Sequence, residues 1–215
     1  MSFLTNLSCF NYVNHFKKLV FLVSSLPVVA YADGQAITTM LRQTPVISSF
    51  DMCYGGGCAA FSHVSLSDAD WQAIIKNFES MPKNAAEERT DIANAIGTFE
   101  QIVGAKTGTS EDKGGTFGNS AYPNQLDCND EAANTTIYMR LLNNAGFLHY
   151  HQIMDTKTRG FFLNGWPHTT AVIKENVSKD LYAVDSWFYD NGKPATVVPF
   201  ALWKSGWKPE KTIAH

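Results

Sequence analysis

The chain has 215 residues, 45% of them hydrophobic and 17% charged, with a formal net charge of −3. This is the composition of one globular domain, large enough to bury a core without metals or a lattice of disulfides. The near-neutral charge balance argues against a generic nucleic-acid-binding protein. No apolar run reaches the length of about 18 residues that indicates an ordinary transmembrane helix.

The start of the chain has the pattern of an export signal. Lys17 and Lys18 precede an uncharged, largely apolar run that ends in Ala30-Tyr31-Ala32. That triplet has the small-x-small form that a signal peptidase accepts. The sequence therefore predicts a signal peptide over residues 1–32, a periplasmic or secreted location, and no stable membrane insertion after cleavage. A membrane anchor is the alternative, for which the apolar run is short.

Export makes the cysteine count informative. Cys9 belongs to the predicted leader, which leaves Cys53, Cys58 and Cys128. Cys53 and Cys58 flank a flexible Tyr-Gly-Gly-Gly stretch, so we expect a disulfide between them within an irregular N-terminal segment, residues 33–66. Cys128 then remains a free thiol, which invites a functional explanation in an oxidising compartment.

Two amphipathic helices are predicted next. Ser67 and Asp70 form a capping box, and apolar residues follow at i, i+3, i+4 and i+7 until Met81-Pro82 ends the helix. A second helix is predicted over residues 84–103, with four apolar residues on one face. Both apolar stripes are more typical of core than of a ligand site.

A loop and a third helix follow. Residues 106–125 are rich in Gly, Ser, Thr and Asn, and we expect them to form a mobile surface loop that borders a functional cleft. The third helix is predicted from Cys128 to about Ala145, with Gly146 at its C′ position.

After Gly146 the sequence becomes strand-forming. Five short stretches, separated by turn signals that include residues 157–160, are β-branched or aromatic: 147–154, 161–164, 169–174, 181–187 and 196–200. Helices followed by a meander of strands are typical of an α+β domain in which helices pack on an antiparallel sheet. We therefore predict one α+β domain over residues 67–215.

Three residues carry the candidate chemistry: Cys128, His168 and Asp185. Cys128 lies at a predicted helix start, where free N–H groups and the helix dipole favour a thiolate and can receive an oxyanion. His168 opens a strand and is the candidate base. Asp185 lies in an otherwise apolar strand, where a carboxylate needs a partner such as an imidazole. Each residue alone has a simpler structural interpretation, but together they match the order and roles of a catalytic triad.

The segment Asp127-Cys128-Asn129-Asp130-Glu131-Ala132 resembles the Asp-Cys-x-Asp-x-Ala signature of bacterial transglutaminase-like cysteine proteinases. His168 and Asp185 follow at spacings that suit this family. The resemblance implies a papain-like or transglutaminase-like α+β fold, a Cys-His-Asp triad and cleavage of a protein or peptide substrate. Some members of this family bind calcium through acids that flank the nucleophile. Asp127 and Asp130 are such acids here, although Asn129 stands where an acid is common in the family.

The predicted function is therefore that of an exported thiol hydrolase without a cofactor, acting on a protein or peptide and not on nucleic acid. Two alternatives stay open. One is a transglutaminase or acyltransferase of the same fold, in which an amine and not water resolves the acyl-enzyme. The other is a binding domain that keeps the fold but has lost activity.

Four further patterns are weaker. Cys53 and Cys58 with His63 have a zinc-like spacing but no fourth ligand nearby, and the pair His149 and His151 has no clear third ligand. Lys106-Thr107-Gly108 matches a box of serine penicillin-binding enzymes, but the nucleophile motif those enzymes need follows it here instead of preceding it. A cluster of tryptophans could line a groove, although core and rim packing is the more usual role: Trp166, Trp187, Trp203 and Trp207.

Overall fold

A computed structural model describes residues 27–117, 122–160 and 167–210. Over these residues the chain forms five α-helices and two antiparallel sheets, which confirms the predicted α+β class. The elements are α1 Pro27–Arg42, β1 Phe50–Tyr54, β2 Ala60–Val64, α2 Asp68–Ile75, a 3-10 helix Lys76–Phe78, α3 Ala85–Thr107, α4 Cys128–Asn144, β3 His151–Arg159, β4 His168–Glu175, β5 Leu181–Asp185, β6 Thr196–Pro199 and α5 Phe200–Lys204. No helix within the described ranges has the length and apolar character needed to cross a membrane.

The N-terminal segment 33–66 is not irregular, so that prediction was wrong. It contains the end of α1 and an antiparallel hairpin of β1 and β2, in which Phe50 lies opposite Val64. The hairpin turn includes Gly55–Gly57, all with positive φ, which lets the chain reverse tightly between short strands. Most of the predicted leader lies outside the described residues, and α1 begins within it.

The first two predicted helices are present. Ser67 and Asp70 form the predicted capping box at the start of α2. Asn84 caps α3 by accepting from the backbone N–H of Glu87. The helix was predicted to end at residue 103, but it continues to Thr107 and so includes the first two residues of the predicted loop. Gly108, with φ +82°, terminates it, because glycine adopts the left-handed conformation without steric cost.

Helix α4 is the central element of the core. It packs against β4 and β5 on one side and contacts α1, α3 and β1 on others. Its apolar residues Ala133, Ile137 and Leu142 are fully buried. Tyr138 stacks on Phe99 of α3 with ring centroids 4.6 Å apart. Because so many elements contact this helix, its first residue occupies a fixed position in the fold.

The predicted antiparallel sheet is confirmed and has the order β3-β4-β5-β6. The bounds of β3 differ from the prediction: it begins at His151 and continues through the predicted turn at 157–160 as far as Arg159, after a register irregularity between Met154 and Lys157. Pairing with buried β4 keeps this polar stretch extended, with Arg159 opposite His168. The predicted strand 161–164 lies outside the described residues.

Candidate active site

Cys128 is the first residue of α4, as the sequence predicted. The N-cap is Asp127, whose Oδ1 accepts from the backbone N–H of Asn129 at 2.8 Å and of Asp130 at 3.0 Å. The Asp130 side chain accepts in return from the Asp127 N–H, which completes a capping box. Cys128 is the free cysteine of the described residues, and only 6% of it is exposed.

His168 and Asp185 form the second half of the site. His168 is the first residue of β4 and Asp185 the last of the neighbouring strand β5. His168 Nε2 lies 2.7 Å from Asp185 Oδ2, and both residues are buried. The other ring nitrogen, Nδ1, is also buried and has no hydrogen-bond partner among the described residues. An ionised carboxylate only accepts, so Nε2 is the donor in this geometry, and in a neutral imidazole Nδ1 then carries the lone pair.

Cys128 and His168 line the same cavity, of about 860 Å³. The backbone N–H of Thr169, next to His168, interacts with the Cys128 sulfur. Trp187 and Phe188 form an aromatic wall around the imidazole, with ring centroids 4.7 and 5.3 Å from it. Cys128 and His168 therefore line one aromatic cleft.

The protonation of Cys128 differs from the expected thiolate. Burial raises the pKa of the thiol to about 12, and the nearby charges of Asp127 and Asp185 act in the same direction. The N–H groups of Thr169 and of Cys128 itself lower the pKa, but burial has the larger effect. The resting site therefore contains a thiol, and the proton must leave as the sulfur reacts.

The start of α4 offers fewer free amides than expected. The N–H groups of Asn129 and Asp130 are occupied by the Asp127 cap, and that of Glu131 donates to the Asp127 carbonyl. The Cys128 N–H lowers the pKa of its own thiol and donates to no carbonyl or carboxylate within the described chain. Among the first-turn N–H groups it is therefore the candidate donor for an oxyanion.

The disulfide Cys53–Cys58 is present, as predicted. It closes the hairpin loop between β1 and β2. Asn134 of α4 fixes this hairpin, because its side chain accepts from the Cys53 N–H at 2.9 Å and donates to the Cys53 carbonyl at 2.8 Å. The disulfide loop is thus attached to α4, the helix that begins at Cys128.

The same loop donates to both acids that flank Cys128. The N–H of Gly56 and that of Cys58 donate to the two oxygens of Asp130, at 2.7 and 2.6 Å. The N–H of Gly57 donates to Asp127 Oδ2 at 3.0 Å. Carboxylates whose oxygens all accept from amides are a poor fit for calcium, which prefers several free oxygen ligands. We derive no step through calcium, and the calcium site stays a prediction.

Several buried acids lie on or near α4. Glu131 Oε2 accepts from Ser186 Oγ at 2.5 Å, and Glu100 Oε2 accepts from the Gly192 N–H at 2.9 Å. Burial raises the pKa of Glu100 to about 8 and that of Asp112 to about 7, and it raises the pKa of Glu131 strongly. The sequence offered no signal for this cluster, because its members are far apart along the chain.

The loop before Cys128 borders the cleft, as predicted. The N–H of Gly115 donates to the Trp187 carbonyl, and Trp187 Nε1 donates to the Thr116 carbonyl, each at 2.7 Å. Phe117 lines the cleft, with its ring 5.7 Å from that of Trp187. The expected mobility of this loop stays a prediction.

The weaker metal patterns are not assembled. His151 is buried and its Nδ1 lies 2.8 Å from Glu88 Oε1, whereas His149 is exposed and precedes β3, so the two do not share a strand face. His63 is exposed and pairs with Asp51 at 2.9 Å. Cys53, Cys58 and Asp130 lie close enough to suggest a metal cluster, but both cysteines are committed to the disulfide.

Sequence reasoning gave Trp203 only a general packing role and missed Arg159. Trp203 is fully buried and donates from Nε1 to Asp185 Oδ2 at 2.7 Å. The Arg159 guanidinium lies over the Trp203 ring, 4.5 Å from its centroid. Of the other tryptophans, Trp207 contacts Phe188 and Trp166 lies outside the described residues. A cation–π pair between residues so far apart in sequence has no local pattern that could have revealed it.

No family model, no curated protein and no solved structure matches this chain. The likeness to transglutaminase-like cysteine proteinases therefore depends on the short motif around Cys128, and the functional argument depends on the geometry of the site.

Proposed function

We propose that the protein is an exported thiol hydrolase that cleaves an amide bond of a protein or peptide, and that it has a papain-like arrangement of Cys128, His168 and Asp185. One observation carries the proposal. His168 is held by Asp185 through Nε2, while its Nδ1 is buried, has no partner in the described chain and shares a cleft with the free thiol of Cys128. A buried polar atom without a hydrogen-bond partner destabilises the fold and is uncommon in native proteins. Its presence here therefore calls for an explanation, and accepting a proton during the reaction is one.

In the proposed mechanism His168 Nδ1 takes the thiol proton as the Cys128 sulfur attacks the substrate carbonyl carbon. The carbonyl oxygen becomes an oxyanion, to which the Cys128 N–H donates. The C–N bond then breaks, and the imidazolium gives its proton to the leaving amine. A water molecule, deprotonated by Nδ1, attacks the resulting thioester, releases the carboxylic acid and restores the thiol.

Asp185 has an orienting role in this mechanism. It accepts the Nε2 proton at 2.7 Å, which fixes the tautomer in which Nδ1 is a base, and its charge stabilises the imidazolium that forms. The aromatic rings of Trp187 and Phe188 beside the imidazole limit the access of water and so strengthen these interactions.

The proposal is tested by digesting a complex mixture of peptides with the purified protein and identifying new termini by mass spectrometry. We expect cleavage by the wild type, none by Cys128→Ser, because a hydroxyl is a much weaker acid and a poorer nucleophile than a thiol, and nearly none by His168→Ala. Asp185→Asn is expected to slow cleavage by orders of magnitude. Ser178→Ala, at an exposed turn, is the control and is expected to behave as wild type.

Cleavage that survives Cys128→Ser would show that the nucleophile is wrong. An uncleaved mixture would contradict the proposed hydrolase. Adding a labelled primary amine separates hydrolysis from acyl transfer: incorporation of the amine at the expense of new carboxyl termini would identify a transferase instead.

A further inference from the structure

The cleft has a cationic wall. Arg159, Lys204 and Lys208 line it, and no Asp or Glu is among the described residues that do so. The chain as a whole carries a net charge of −3. The charge of the described cleft lining is therefore positive although the net charge of the chain is negative, so a generally basic surface does not explain it.

Arg159 is fixed relative to the catalytic residues. It lies opposite His168 in the pairing of β3 with β4. Its Nη1 donates to the Trp203 carbonyl, and its guanidinium stacks on the Trp203 ring. Trp203 in turn is bonded to Asp185. Since a guanidinium has five N–H donors, others remain for a ligand.

Among the described residues the three cations have no acidic partner of their own. In the described parts of the chain no carboxylate forms an ion pair with Arg159, Lys204 or Lys208. The charge of Asp185 interacts electrostatically with Arg159, but that carboxylate already accepts hydrogen bonds from His168 and Trp203. The sequence segments 118–121, 161–166 and 211–215 contain no Asp or Glu.

We propose that the cleft selects a peptide segment in which an Asp or Glu side chain lies close to the bond that is cleaved. Arg159 holds that carboxylate, because a fixed guanidinium binds a carboxylate through paired hydrogen bonds. Lys204 and Lys208 are exposed and add attraction at the rim. Phe117 and Trp187 on the aromatic wall contact an apolar neighbour of the acidic residue. Cleavage of this segment rests on the proposed function, whereas the preference for binding an acidic peptide does not.

The test measures binding without turnover, in the Cys128→Ser protein. Two peptide pools share a background of Ala, Leu, Phe and Ser, are capped at both ends and carry an uncharged fluorophore. They differ only in a central Glu or Gln. We expect the Glu pool to bind at least about tenfold more tightly by fluorescence anisotropy, the size of one charge-assisted contact.

The same measurement is repeated with Arg159→Gln, which is expected to bring the ratio of the two affinities close to one. Lys204→Glu/Lys208→Glu is expected to lower the ratio, because this reversal replaces attraction at the rim with repulsion. Lys83→Glu, an exposed charge reversal outside the cleft lining, is the control and is expected to leave the preference nearly intact. Equal affinities of the two pools, including no detectable binding of either, would overturn the proposal. A preference for Glu that survives Arg159→Gln would also overturn it.

Digestion of the two pools by the unsubstituted protein separates this proposal from the proposed function. A Glu preference in binding without any cleavage would contradict the hydrolase and support the acidic-peptide site. Cleavage of both pools at equal rates would support the hydrolase and overturn the acidic-peptide site.

Discussion

Trp203 Nε1 donates to Asp185 Oδ2 at 2.7 Å, and this oxygen is the one that also accepts from His168 Nε2. The indole is fully buried, and the carboxylate is only 2% exposed. Asp185 therefore keeps its orientation through two donors from different elements, one on β4 and one on α5. Such a supporting contact holds a catalytic group in its productive geometry.

Trp203→Phe tests this supporting role. The substitution keeps an aromatic ring but removes the donor, so we expect Asp185 to orient His168 less well. On a peptide that the wild type cleaves, kcat is expected to fall about tenfold, in line with the loss of a hydrogen bond to a charged group. KM is expected to stay unchanged, since Trp203 does not line the cleft.

Trp207→Phe is the matched control, because that indole packs on Phe188 and has no recorded hydrogen bond within the described chain. Thermal unfolding of both variants shows whether the fold is retained. An equal fall of kcat in the two variants would indicate that aromatic packing, and not the bond to Asp185, supports the site.

The disulfide gives a second prediction. Cys53→Ser/Cys58→Ser opens the loop whose amides bind Asp127 and Asp130 on either side of the nucleophile. The chain-entropy relation gives a loss of roughly 2 kcal/mol in the free energy of unfolding for a loop this short. We also expect kcat to fall, because the three backbone N–H groups that donate to Asp127 and Asp130 are held in place less firmly. Urea unfolding and steady-state kinetics measure the two effects.

Asp130→Asn, made both in the wild type and in the Cys53→Ser/Cys58→Ser protein, completes a double-mutant cycle for this loop. If the amides position the helix start through Asp130, the two changes are expected to be non-additive in kcat. A stability loss with unchanged kcat would limit the disulfide to a role in folding.

The local features of the site could be predicted from sequence, and its long-range contacts could not. Cys128 was placed at a helix start because the apolar periodicity of the residues that follow it is a local signal. The bond from Cys58 to Asp130 joins residues 72 positions apart, and no local pattern encodes it. The same is true of the contact between Trp203 and Asp185.

The bounds of β3 and the state of Cys128 show the same limit. Residues 155–159 are mostly polar and resemble a turn, but pairing with β4 holds them in a strand. The helix start favours a thiolate, yet the depth of burial, which depends on the whole fold, raises the pKa of Cys128 to about 12.

The raised thiol pKa gives a third prediction, for the alkylation of Cys128 by iodoacetamide. Only the thiolate reacts, so with a pKa of about 12 the rate is expected to rise about tenfold per pH unit between about pH 7 and pH 10. A thiolate–imidazolium pair would instead give a rate that is nearly constant over this range. Peptide mapping of the alkylated protein assigns the label to Cys128, and Cys128→Ser is the blank.

The buried acids give the last prediction, a decrease in stability as the pH rises. Burial raises the pKa of Glu100 from 4.5 to about 8, with the charge of Asp112 adding to the effect. Between these two pH values the folded protein keeps a proton that the unfolded chain has lost. The free energy of unfolding therefore decreases from about pH 4.5 to about pH 8, and Asp112 and Glu131 act in the same direction.

Glu100→Gln removes the group that titrates and nearly preserves its shape. We expect the variant to lose less stability than the wild type between pH 5 and pH 8, measured by urea unfolding in matched buffers of equal ionic strength. Glu111→Gln, the same substitution at an exposed position in the loop before Cys128, is the control and is expected to keep the wild-type slope. If Glu100→Gln kept the wild-type pH dependence, the prediction would be wrong and Glu100 would be ionised in the folded protein. Its Oε1, which has no hydrogen-bond partner among the described residues, would then need another group to stabilise its charge.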